Sequence, residues 1–161
     1  MLSVVFFPVL LITVLSIAVY TDLTRRQIPN WLTLGGLGLA LIWSLLHGAV
    51  IFFPHLAGAA LASVWLVFWR LGYLGGGDAK LMLAVGAILG SPKAIAATVY
   101  IALAGGMQAA STLFWHHYRH PAAGNRPIRQ RFPFPYSLAI AAGSISAFFI
   151  PLPLLFRLFS F

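Results

Sequence analysis

Two acidic side chains exist in the whole 161-residue chain, Asp22 and Asp78. Each sits where a long apolar segment meets a short polar one. Paired carboxylates that share one proton can polarise a water and protonate a leaving group, which is the equipment of acid–base hydrolysis. Carboxylates kept at the edge of apolar segments are costly, and functional by default. The candidate chemistry therefore rests on whether the fold brings these two positions together.

The elements that must do this are apolar. Hydrophobic residues make up 61% of the chain and charged residues 7%, and the mean hydropathy is +0.95. There is not enough polar surface to coat a soluble core of this size. The reading is an all-α polytopic membrane protein of about six transmembrane helices in one bundle, a single domain over 1–161. The first apolar run lacks a basic leader region and is too long for the core of a signal peptide, so it reads as a retained span. The spans run from about Leu2 to Tyr20, Trp31 to Leu46, Leu56 to Leu71, Ala79 to Gly90, Ala94 to Trp115 and Tyr136 to Phe156. Asp22 then falls in a polar connector, Thr21 to Asn30, and Asp78 follows the glycine run Gly75-Gly76-Gly77.

Charge counting orients the bundle. Connectors after the first, third and fifth spans hold Arg25, Arg26, Arg70, Lys80, Arg119, Arg126, Arg129 and Arg131, eight of the ten basic residues. The opposite side keeps Lys93 and Arg157. The positive-inside bias makes the eight-charge side cytoplasmic, with both termini outside and both acids on the cytoplasmic side. The formal charge of +8 reads as orientation and contact with anionic lipid, not as nucleic-acid binding. Cysteine is absent, which excludes disulfides, thiolate zinc sites and cysteine nucleophiles. His116, His117 and His120 lie in a Pro- and Arg-rich connector without carboxylate or thiolate neighbours, so no metal and no cofactor is expected. That connector, His116 to Pro135, is also a candidate lid.

The fourth segment is short for a hydrocarbon core of about 30 Å. Either its helix starts inside the glycine run or the bilayer thins around it. Both place Asp78 deeper than a surface loop, beside a wet cavity at Gly75–Asp78. The glycines have a plain reading as a break between helices, with Gly86 and Gly90 as a small-residue packing face. Their sharper reading lets an extended peptide backbone approach the acid. No Gly-Lys-Ser/Thr follows, so the run is not a phosphate loop.

Gly75-Gly76-Gly77-Asp78, followed by Ala79-Lys80, is a GxGD motif. With Asp22 separated by five residues from Ile28-Pro29-Asn30, and the Phe132-Pro133-Phe134-Pro135-Tyr136 approach to the last span, it resembles the bacterial type IV prepilin peptidases, which are GxGD intramembrane aspartic proteases. The resemblance covers nearly the whole chain. It implies Asp22 and Asp78 as catalytic residues, with Gly75, Gly77, Lys80, Pro29 and Asn30 supporting the motifs or the approach of substrate. It also implies prepilin and pseudopilin substrates with a short basic leader, cut at the cytoplasmic face of the inner membrane. Larger members carry a cytoplasmic domain with paired cysteine motifs that N-methylates the new pilin terminus. This chain has no cysteine and no room for that domain between its first two spans. It is similar to the short, peptidase-only branch that serves tight-adherence (Flp-type) pili.

Residue by residue, Asp78 at a helix start feels the positive end of the dipole and is favoured as the ionised base. Asp22 ends its span, which favours the neutral acid, unless a continuing helix lets Arg25 or Arg26 pair with it. Lys80, two residues from Asp78, points elsewhere and snorkels to the headgroups. Pro29 and Asn30 begin the second span, with Pro29 near its first position. Trp31, Trp43, Trp65, Trp69 and Trp115 read as lipid-facing or interfacial belt residues. Two other readings of the acids are a small ion-coupled transporter or proton relay, with acids near the midplane, and a non-catalytic assembly subunit. The oligomeric state is not legible.

Overall fold

In the computed structural model, which describes residues 2–119 and 136–150, the chain is helical throughout its regular elements. The helices are α1 (Leu2–Arg25), α2 (Asn30–Leu46), α3 (Ala49–Ala62), α4 (Val64–Arg70), α5 (Gly76–Leu89), α6 (Ser91–Arg119) and α7 (Tyr136–Phe149). Three stretches are long and apolar enough to cross a membrane: Val5–Arg25, Ala49–Arg70 and Ser91–Ser111. The second joins α3 to α4, because Ser63 between them keeps a right-handed helical backbone. Large apolar side chains such as Val50, Phe53, Leu46 and Met107 stay exposed, as a lipid-facing surface requires. The sixth span is described as far as Ile150. The connector read as His116 to Pro135 is corrected at its start, because α6 continues to Arg119 and carries His116 and His117 on a helix; the rest of it, with the remainder of the candidate lid and the Phe132–Pro135 segment, lies outside the described residues.

Helix ends depart from the hydropathy reading in several places. The first helix does not stop at Tyr20 but continues to Arg25, so Asp22 stands on a helix and not in a connector. Thr21 and Thr24 donate their hydroxyls to the carbonyls of Ile17 and Tyr20 at 2.9 and 2.7 Å. These polar residues are thus satisfied inside the helix. Arg26 then takes a left-handed backbone (φ 52°), and its N–H closes on the Asp22 carbonyl at 2.9 Å. Pro29 caps α2 with φ −69° and ψ 138°, matching the angle its ring imposes. It stands one position before the helix, not inside it. The third span starts at Ala49, seven residues ahead of Leu56, with Pro54 in its interior.

α5 is the centre of the bundle and packs against each of the other helices. Its fourteen residues span about 21 Å at 1.5 Å per residue, short of a bilayer core. The helix starts inside the glycine run, the first of the two expected solutions. From Ala79 to Gly90 almost every side chain is buried, so its partner is protein and not lipid. Glycine makes that closeness possible. Gly58 of α3 and Gly86 of α5 lie backbone to backbone: a Cβ on Gly86 would stand 2.5 Å from both the Gly58 carbonyl oxygen and the Ala62 Cβ. Gly90 adjoins Gly58 as well, so the small-residue face is a helix contact, as expected. At the far end of α5, His55 reaches across from α3 to the Ala87 carbonyl at 2.7 Å. That carbonyl only accepts, so Nδ1 carries the proton.

Gly72 (φ 83°) turns the chain back at the end of α4. The N–H of Tyr73 reaches the Phe68 carbonyl at 3.0 Å and that of Gly72 the Trp69 carbonyl at 2.9 Å, a glycine-terminated helix end. The chain then re-enters the bundle at Gly75, extended (φ −68°, ψ 144°), and α5 begins.

Candidate active site

Three helix ends converge at one end of the bundle. Asp22 stands on the last turn of α1, Asp78 on the first turn of α5, and Tyr136 and Ser137 open α7. Both acids are half-buried. Both stand at this same end of the bundle, near enough for the Asp22 charge to be felt at Asp78. Carboxylates near enough to interact are harder to ionise together than singly.

Asp22 is held from above. Ser137 Oγ donates to Asp22 Oδ2 at 2.6 Å, a short, charge-assisted geometry. The helix does continue past Asp22, yet no ion pair joins the acid to Arg25 or Arg26 among the described residues. Asp78 has the opposite surroundings. No described side chain donates a hydrogen bond to it, and its carboxylate folds back over Gly75, where an added Cβ would stand 2.6 Å from Oδ2. Tyr136 is near enough to interact with the Asp78 charge, and its ring and hydroxyl lie flat on Gly105 of α6. A half-buried acid without a donor is the one with lone pairs left for water or substrate.

The motif glycines have separate neighbours. Gly77 faces Ile28, whose Cβ would be 3.1 Å from an added methyl. The segment after Asp22 is thereby packed directly onto the segment before Asp78. Gly76 faces the indole edge of Trp69, with Nε1 3.0 Å from an added Cβ. Gly75 is exposed, leaving the backbone beside Asp78 accessible from one side. Lys80 departs from the expected snorkelling position: Nζ donates to Asn30 Oδ1 at 2.9 Å. It ties the start of α2 to the start of α5, one turn from the acids. Pro29 sets the angle of that start and touches no acid.

Sequence reasoning missed Ser137, Tyr136, Ile28 and Trp69. The signal for Ser137 was a serine at the start of the last apolar segment, directly after the Pro-rich approach. Among the aromatics, Trp31 and Trp69 are exposed as expected of belt residues. Trp43 and Trp65 depart from that reading, because each buries an indole N–H without a hydrogen-bond partner. The Trp115 side chain lies outside the described residues. Among the described residues no group of three or more His, Asp or Glu side chains is placed to hold a metal.

A protein of Bacillus subtilis (strain 168) named prepilin leader peptidase/N-methyltransferase is 30% identical over 151 residues, an alignment covering 91% of this chain and 57% of that protein. The chain thus spans little more than half the length of that relative. No solved structure matches. The type IV leader peptidase family matches residues 9–110, a stretch that holds both acids, Ile28-Pro29-Asn30 and the whole glycine run. On that match, with the two motif segments packed against each other around the acids, the chain belongs to the type IV leader peptidase family.

Proposed function

We propose that this chain is a membrane-embedded aspartic endopeptidase that removes the short basic leader from prepilins and pseudopilins. The observation that carries the reading is the convergence, at one end of an apolar bundle, of the end of α1 bearing Asp22 and the start of α5 bearing Asp78, with Ile28 packed on Gly77. One acid, ionised, takes a proton from water as the water oxygen bonds to the scissile carbonyl carbon. The other, protonated, hydrogen-bonds the carbonyl oxygen. Collapse of the tetrahedral diol breaks the C–N bond, the amine leaves with a proton from the pair, and the pair returns to its shared-proton state.

The positive-inside bias sets this end at the cytoplasmic face of a bacterial inner membrane. Arg25, Arg26, Arg70 and Lys80 surround it, so a basic leader is not drawn in by protein charge. Anionic lipid gathers both partners, and the apolar pilin helix supplies register. Between α1 and α2 the connector runs only from Arg26 to Pro29. That supports cleavage without methylation, in one peptidase domain over 1–161, as in the branch serving tight-adherence pili.

The test is reconstitution in proteoliposomes with a tight-adherence prepilin, comparing the wild type with Asp22→Asn and Asp78→Asn. Each substitution is expected to abolish leader removal while insertion and thermal stability hold. Retained cleavage in either variant would overturn the proposal. Altered proton flux with cleavage unaffected would favour a relay instead.

A further inference from the structure

Hydroxyls in the apolar helices of this bundle mostly bond back to their own helix. Thr13, Thr21, Thr24, Ser44 and Ser144 all donate to a carbonyl three or four residues earlier. This is the ordinary solution for a hydroxyl in an apolar setting. Ser137, in the first described turn of α7, is the exception. It is also fully buried, with 0% of its surface exposed, so its hydroxyl must find a partner elsewhere. The partner is a carboxylate oxygen 115 residues away in sequence, Asp22 Oδ2.

Asp22 needs such a partner. It ends α1, where the helix carbonyls repel negative charge, and neither neighbouring arginine pairs with it. α7 is itself locked laterally: Gly143 lets Ile101 of α6 approach its backbone, and Tyr136 rests on Gly105. The Ser137 hydroxyl is therefore delivered from a helix whose position is set by packing against α6 as well as by the acid.

Resting on the peptidase reading above, we infer that Ser137 is the positioning residue of Asp22, fixing the carboxylate in the orientation that presents its other oxygen to Asp78 and the attacked peptide. α7 is thereby part of the catalytic apparatus, although the two acids come from α1 and α5. The bond constrains one carboxylate oxygen and leaves the second free. A carboxylate released from it can rotate about χ2, and the pair loses its alignment.

The experiment exploits the scarcity of acids. With two aspartates and no glutamate in the chain, protein made with 13Cγ-aspartate gives two side-chain carboxyl resonances, assigned by Asp22→Asn and Asp78→Asn. Ser137→Ala is expected to move the Asp22 resonance far more than that of Asp78. It is also expected to lower kcat for prepilin cleavage by roughly ten-fold or more while KM holds, as for the loss of one charge-assisted hydrogen bond. Ser137→Thr, which keeps the hydroxyl, restores most of the rate and the Asp22 resonance. An Asp22 resonance unmoved in the alanine variant, or a wild-type kcat there, overturns the assignment. If wild type itself cleaves no prepilin, the peptidase reading fails, while the resonances still decide whether Ser137 holds Asp22.

Discussion

Gly75 separates the demands of catalysis from the demands of folding. Its backbone (φ −68°, ψ 144°) is one that any L-residue adopts, so the fold does not need glycine there. The acid does. A Cβ at position 75 would stand 2.6 Å from Asp78 Oδ2, against 3.4 Å for ordinary contact. In Gly75→Ala the carboxylate must give way by close to 1 Å, on the order of the misplacement that costs an enzyme about 100-fold. Turning a half-buried side chain off its rotamer costs only about 0.5–1.5 kcal/mol. Cleavage should therefore fall on the order of 100-fold with little change in melting temperature. The assay is the initial rate of leader removal in proteoliposomes, with Asp78→Asn as the floor and thermal unfolding in detergent alongside. Gly72→Ala is the counterpart. Its φ of +83° strains any side chain, and nothing lies within 4 Å of an added methyl. It should lose about 1–2 kcal/mol of stability and keep its rate per folded molecule. A Gly75→Ala protein that cleaves within a few-fold of wild type would show that the Asp78 carboxylate does not work from its place over Gly75.

Gly86→Ala should reduce both stability and rate, because the obstructing atoms are the Gly58 carbonyl and the Ala62 Cβ and not a flexible side chain. Overpacking of this kind costs about 1–3 kcal/mol, measured by thermal unfolding, while Gly38→Ala, with nothing within 4 Å, should change neither. His55→Ala leaves the Ala87 carbonyl without its partner at the buried end of α5. A loss of about 1–3 kcal/mol is expected in equilibrium unfolding, with the cleavage rate per folded molecule close to wild type.

The candidate acids were easy to single out because the chain spends so few charges: two acids, each inside a short motif, leave little else to choose. Helix ends were less so, for a physical reason. Hydropathy registers Thr21-Asp22-Leu23-Thr24 as polar and stops α1 there, whereas Thr21 and Thr24 satisfy themselves on the preceding turn. It likewise loses α3 at Pro54-His55, although His55 is partnered 32 residues away by Ala87. Lys80 with Asn30, 50 residues apart, and Ser137 with Asp22 are failures of the same kind. Each is a polar group whose partner exists only after the helices have docked, and no local pattern encodes it.

That dependence on docking extends to the acid itself. A fourteen-residue helix of about 21 Å cannot satisfy a bilayer core of about 30 Å unaided. α5 is tolerable because protein surrounds it, and protein can surround it so closely because Gly58 and Gly86 let two backbones touch. The same contacts fix how far along the bundle α5 sits, and so how deep its first turn lies. Asp78 consequently takes its position relative to Asp22 from the α3–α5 contact and from the His55 bond at the opposite end of the helix, as much as from the glycines beside it. A short helix held at both ends is a rigid mount, and the proposed dyad requires a mount of that kind, since its two carboxylates come from separate helices.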